Sequence, residues 1–229
     1  VATTAELVNA VLSRVGEDPA APAFYQAFEV LDALNEGQRF FAFLTLCLET
    51  KATLDAGGSA THHLLASFPD FLLALRCRWT HSGERIRPGR MQDFAAEADN
   101  WLTLSGDAQR YGVAGFDMLV LDRQPDAGSV IEITYARMPA VMTTASSPEI
   151  PIEFHPAIED YGVYRLRMAK EGGQEGAKTL ELFSNFLTTA KAHAETVRKR
   201  MVGADYDAEP FELKEKRWRT MLQSPRAPA

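Results

Sequence analysis

Leu48-Glu49-Thr50-Lys51-Ala52-Thr53-Leu54 is the stretch on which the fold turns. Leu48, Thr50, Ala52 and Leu54 alternate with Glu49, Lys51 and Thr53, the period of a half-buried strand, and Gly57-Gly58 then breaks the run. Upstream the apolar residues recur at helical spacing. Downstream the alternating period holds to about Tyr135, and then the helical period returns. The switch and its reversal predict an α+β protein: a helical bundle from N- and C-terminal helices, an inserted antiparallel β-region, and an extended C-terminal tail.

Toward the N-terminus, Thr3 and Glu6 have the spacing of a capping box, and Leu7, Val8, Val11, Leu12 and Val15 follow at helical intervals. A helix over 4–15 is expected, ended by Gly16, Pro19 and Pro22. Phe24, Phe28, Leu31, Leu34, Gln38, Phe41 and Leu44 predict a second helix over 24–46, with Asn35, Glu36, Gln38 and Arg39 as its polar side. The two would pack as an αα-hairpin.

Toward the C-terminus, the run Phe71 to Leu75 followed by Cys77 and Trp79 predicts a strand, with Arg76 and Arg78 alternating. His81-Ser82-Gly83-Glu84 reads as a hairpin turn returning through Ile86. Met91 to Trp101 reads as a small helix. Met118–Leu121 and Val130–Tyr135 read as strands joined by the turn-rich residues 122–129. Pro139 to Pro156 is a proline-punctuated crossing segment. Helices are expected over Ala157–Glu171 and Glu175–Met201, separated by Gly172-Gly173. The second has an apolar stripe of Leu180, Phe183, Leu187, Ala190, Ala194, Val197 and Met201. The expected domains are 1–47 with 151–204 as the bundle, 48–150 as the β-region, and 205–229 as the tail.

The chain has 229 residues, 46% hydrophobic and 24% charged, enough for a real core and unlike a disordered chain. A net charge of −7 argues against a broad phosphate-binding surface. Two cysteines, Cys47 and Cys77, make no disulfide framework and fit a reducing cytosol. No basic residue precedes Arg14, so no signal peptide is expected, and no apolar run approaches the ~20 residues of a membrane helix, so no membrane partner is expected.

Chemistry-bearing patterns are weak. Gly172 to Thr179 resembles a phosphate loop only until Ala177, which stands where glycine must precede the lysine. Cys77 and His81, with His62 and His63 upstream, lie too far apart on a strand for a zinc pair. His155 and Glu159 read as local capping, and Cys47 sits in an apolar run that disfavours a thiolate. Neither a nucleophile elbow nor a Glu-x-x-His pair occurs. No catalytic residue, cofactor or metal is expected.

Several segments together resemble the head–tail adaptor (connector) proteins of tailed bacteriophages and gene transfer particles. They are Leu31-Asp32-Ala33-Leu34-Asn35-Glu36-Gly37-Gln38-Arg39, Trp101, and Met118-Leu119-Val120-Leu121-Asp122-Arg123-Gln124-Pro125. Ile133-Thr134-Tyr135-Ala136-Arg137-Met138-Pro139 and Pro148-Glu149-Ile150-Pro151-Ile152-Glu153-Phe154-His155-Pro156-Ala157-Ile158 complete the series, in order, over about Leu7 to Met201. The resemblance implies a structural virion protein without enzymatic activity. It implies a ring, commonly of twelve copies, between the portal protein and a stopper or tail-terminator protein, lining the channel through which genomic DNA passes without sequence-specific binding. It implies a place at the head–tail junction or neck of the virion, after synthesis in the host cytoplasm. Gly37 and Gly162 stand where similar proteins more often have alanine, and glycine inside a helix costs about 1 kcal/mol, so bent or shortened helices are expected there.

Two sets of partner-binding residues are expected. Arg76, Arg78, Arg85, Arg87 and Arg90 put local positive charge on an acidic chain and are assigned to a subunit or partner boundary. Phe211, Leu213, Lys214, Arg217, Trp218, Arg219, Met221 and Leu222 combine apolar and cationic side chains beyond the linker 205–210 and are assigned to the portal. The alternatives are another neck or tail-completion protein, a DNA-binding regulator using the segment 76–90, and an enzyme without recognisable motifs. No helix–turn–helix pattern coincides with that arginine-rich segment.

Overall fold

Helix α1, Thr4–Val15, starts where the capping box predicts. Thr3 Oγ1 accepts from the Glu6 N–H at 3.2 Å, and the Glu6 carboxylate accepts from the Thr3 N–H at 2.7 Å. Two donors of the helix start are thereby satisfied reciprocally. Gly16, at φ +89°, ends the helix in the left-handed conformation that glycine adopts without strain. The computed structural model describes residues 3–58, 61–65, 67–114, 118–170 and 176–200. It divides into two compact units, one of residues 3–47 with 139–200 and one of residues 48–138.

The first unit holds the long helices. Helix α2, Ala27–Thr45, begins three residues later than the apolar pattern suggests. The Glu17 carboxylate holds the N–H groups of Ala23 at 2.8 Å and Phe24 at 3.3 Å, and Gln26 stays extended as the cap. Phe24 and Phe28 are consequently exposed, at 58% and 64%, and Tyr25 is the buried aromatic, its hydroxyl donating to Leu166 O at 3.0 Å. Helix α4, His155–Lys170, packs against α1, α2 and helix α5, Ala177–Arg200. The expected αα-hairpin is thus corrected: α1 and α2 touch, but each packs mainly on α4.

The two helical glycines explain that packing. Helices α2 and α4 run through Gly37 and Gly162 without ending. A Cβ at Gly37 would stand 2.9 Å from Tyr161 Cδ1, and one at Gly162 would stand 3.3 Å from Leu34 Cδ2 and 3.4 Å from Val11 Cγ2. The glycines admit close helix approach, which is why early ends were the wrong expectation. Around Tyr161 the core is aromatic. Its ring lies 5.9 Å from Phe40 and 4.9 Å from Phe186, and Tyr164 stacks on Phe183 at 4.7 Å. The stripe on α5 runs through Thr179, Phe183, Phe186 and Ala190. Leu180, expected inside, is exposed; the buried face is turned by one residue because Phe186 fills the space against Phe40.

The crossing segment 139–150 has no regular structure and is tied to two helices. Asn35 Nδ2 donates to Met142 O at 3.1 Å, and Asn35 Oδ1 accepts from Met142 N–H at 2.7 Å. Gln38 Nε2 donates to Ala140 O at 2.8 Å, and Thr4 Oγ1 donates to Ser146 O at 2.8 Å. Asn35 and Gln38 are buried, so the expected polar side of α2 is in part an inner face that replaces the segment's missing backbone partners. Glu36, beside them, accepts from Tyr161 Oη at 3.0 Å and from Arg165 Nε at 2.9 Å. A 3₁₀ turn, Ile152–Phe154, leads into α4, with Pro156 in its first turn, where its missing N–H is no loss.

The second unit is a curled seven-stranded sheet of order β1-β7-β3-β4-β5-β6-β2. The strands are β1 Glu49–Asp55, β2 His62–Leu64, β3 Phe71–Trp79, β4 Arg85–Pro88, β5 Arg110–Ala114, β6 Met118–Leu121 and β7 Val130–Arg137. All pairs are antiparallel except β4 with β5. Strands β2 and β5 were not anticipated. Residues 122–129 join β6 to β7 as expected, yet those strands lie four positions apart and do not pair. Register shifts in β3 let Ala74 and Leu75 both be buried before strict alternation resumes at Arg76 and Cys77. Inward residues from most of the strands, among them Leu54, Cys77, Trp79, Ile86, Tyr111, Leu119 and Ile133, share one core, so the inner faces converge. The small helix α3, Met91–Glu97, and a 3₁₀ turn, Trp101–Thr103, lie outside the curl, with Phe94 and Trp101 packed on Val120 of β6.

Candidate functional site

Strands β3 and β4 form a hairpin whose two faces differ in kind. Cys77 pairs with Ile86 and both are fully buried, which forces their neighbours outward. Arg78 stands directly opposite Arg85, and Arg76 and Arg87 lie one step further along the same exposed face. The turn closes through Gly83, at φ +70°, whose N–H donates to Trp79 O at 3.0 Å. Arg90, also exposed, precedes α3. The structure therefore brings four of the five expected arginines onto one face of the hairpin, with Arg90 just beyond it. Like charges directly across a strand pair repel and are destabilising. Glu132 on β7 relieves this in part, accepting from Arg78 Nε at 2.9 Å and its terminal nitrogen at 3.0 Å, with Lys51 Nζ at 3.6 Å. The hydrogen bond from Arg78 and the nearby cations hold the Glu132 carboxyl below the usual carboxylate range, and Glu132 in turn raises Arg78.

The neighbouring part of the same unit has the opposite sign. Residues 91–109 carry Asp93, Glu97, Asp99 and Asp107 and neither lysine nor arginine. All four are exposed. Among the described residues of this unit the exposed large apolar side chains are Met91 on α3, Leu102 on the 3₁₀ turn and Val113 on β5, the last on the opposite face of the strand from Gly112, which faces α3. The sequence signal was available: segment 76–90 has five arginines against one glutamate, and the next nineteen residues hold four acids without a base. The assignment of the arginines alone overlooked it.

Other candidates stay apart. Cys77 is buried in the sheet, whereas His81 is exposed in the turn and meets Asp107 at 3.3 Å. Among the described residues no group of three metal-type ligands converges. Burial raises the Cys47 thiol above its ordinary value. His155 is buried, with Nε2 2.9 Å from Ile150 O, and burial pushes Glu159 upward against the opposing pull of Arg14. Gly176, Lys178 and Thr179 line an open cleft with Arg167 and Lys170, but residues 171–175 of the loop lie outside the described residues. So do Phe211, Leu213, Lys214, Arg217, Trp218, Arg219, Met221 and Leu222. Among the described residues no helix is long and apolar enough to cross a membrane.

The segments that carried the adaptor resemblance occupy structural positions: the α2 polar cluster, Trp101, strand β6, strand β7, and the approach to α4. No curated protein matches the chain. The SU10 adaptor protein family matches it over residues 2–205, nearly nine-tenths of its length. The chain belongs to the SU10 adaptor protein family, a family of bacteriophage head–tail adaptors.

Proposed function

We propose that the protein is the ring-forming adaptor between the portal and the tail side of the virion. Its copies, twelve in number, surround the channel for genomic DNA, with the helical unit as a bundle and the β-unit as an insertion between neighbours. The portal protein lies on one side and a stopper or tail-terminator protein on the other. The observation that carries this reading is where the family-like residues act. Asn35, Gln38 and Glu36 hold a crossing segment and a helix pair together inside the subunit rather than converging on a substrate. Such residues maintain a scaffold, and a scaffold works through its outer surfaces. An acidic subunit repels duplex phosphates, so DNA passes along the channel without being held.

In this reading the tail 205–229 is the anchor. Phe211, Leu213, Trp218, Met221 and Leu222 fill apolar pockets of the portal, and Lys214, Arg217 and Arg219 pair with its carboxylates. Removal of residues 211–229 tests it. The truncated chain is expected to keep its helical circular dichroism and solubility and to lose attachment to portal-bearing heads. Unchanged affinity for those heads would show that the tail is not the anchor.

A further inference from the structure

The β-unit is electrically two-sided, and its two sides fit each other. Residues 76–90 total +4 and residues 91–109 total −4; within the latter, Glu97 pairs with Arg110 of β5 and Asp107 lies against His81 of the hairpin turn, leaving Asp93 and Asp99 on and after α3. Both stretches lie on the outside of the curled sheet, because Cys77, Trp79 and Ile86 point into the shared core while Phe94 and Trp101 pack on the outward Val120. They sit over different strands: the arginines over β3 and β4, the α3 surface over β5 and β6. Within one copy the two stretches meet at Arg90, whose N–H donates to Asp93 at 3.3 Å, and at His81, 3.3 Å from Asp107, while Arg76 and Arg87 are exposed on the hairpin.

We propose that the α3 surface of one copy receives the arginine hairpin of a second copy, a head-to-tail contact. It rests on the ring reading above and names the surfaces that would join neighbours. Three features point to a protein partner with this chain's own chemistry. The acidic side presents Met91 and Leu102 at 38% and 46% exposure, apolar side chains among charged ones, as protein interfaces combine them. The arginine side has planar donors spaced along two strands, suited to bidentate carboxylate pairing. Arg78 and Arg85 stand directly opposite each other, a like-charge pair that approaching carboxylates relieve. A contact between unlike surfaces repeats from copy to copy and closes into a ring when the rotation permits.

The test uses the full chain and reads self-association by analytical ultracentrifugation and light scattering. Wild type is expected to associate at low salt and to weaken about tenfold or more as salt rises, as screened charge pairs do. Arg76→Glu with Arg87→Glu should weaken association about tenfold or more, and Asp99→Arg on the α3 side should weaken it as well. Mixing the two reversed proteins should restore association to within about threefold of wild type, because each then offers the complement of the other. Leu102→Ser should weaken association without altering its salt dependence. Unchanged circular dichroism establishes that the variants are folded. The inference is overturned if wild type stays monomeric at low salt to about millimolar concentration, if the reversals change nothing, or if mixing fails to restore association. It is also overturned if the arginine reversals abolish binding to a short DNA duplex while leaving self-association intact. A ring seen in particles whose copies do not use these surfaces would sink this inference and leave the ring reading standing.

Discussion

Gly37 and Gly162 set how closely α2 and α4 approach, and they are not equivalent. The Cβ of an alanine at 37 would press on the ring and Cβ of Tyr161, a fully buried residue whose hydroxyl is held by Glu36. At 162 it would meet the ends of the Leu34 and Val11 side chains, which can shift by tenths of an ångström. Gly37→Ala is therefore expected to destabilise by about 1–3 kcal/mol despite better helix propensity. Gly162→Ala should fall within about 1 kcal/mol of wild type, since propensity offsets the tighter contact. Urea unfolding of the two variants checks this; equal effects would contradict the packing account. The Glu132–Arg78 pair gives a pH prediction. Glu132 has a lowered folded-state pKa, so its contribution to stability is complete above the unfolded value of about 4.3 and is lost as pH falls through the folded one. Carbon-13 titration of the Glu132 carboxyl should show a midpoint below that of a free glutamate, and Arg78→Gln should move it up. No movement would show that the pair is not formed.

At the scale of elements, the crossing segment 139–150 matters most, because its backbone depends on side chains of α2 and α1. Asn35→Ala leaves the Met142 N–H and C=O without their partner, which is expected to cost about 1–3 kcal/mol. The Met142 amide should then exchange faster with solvent than in wild type; unchanged protection would show that Asn35 does not hold the segment. The limits of what the sequence reveals lie here too. Helix α1 was legible because cap, apolar period and terminal glycine all agree over its twelve residues. Strand β7 was legible because its alternation matches its burial. Strand β2 has three residues, and β5 has Gly112 packed under Gly89 and Phe94, so neither offers a period to read. The start of α2 was misjudged because Phe24 and Phe28 keep helical spacing while Glu17 holds the chain in a turn. Burial of Asn35 and Gln38 was invisible because it depends on a segment a hundred residues away.

For the whole molecule, charge distribution says more than net charge. The chain totals −7, yet one hairpin is strongly positive beside an equally acidic stretch. The hairpin half of that pattern was legible as a candidate boundary. Its acidic counterpart was legible too, as four acids without a base over residues 91–109, whereas the exposure of Met91 and Leu102 among them required the structure. Membership in the adaptor family is shown, and the central claim of the proposed function is that the protein works as a closed ring at the head–tail junction. Electron cryo-microscopy of assembled particles carrying an N-terminal density label on this chain tests that claim most directly. The account predicts a ring of twelve labelled copies against the portal, surrounding the DNA channel. Label in the capsid shell, at the tail tip, or absent from the junction would contradict it.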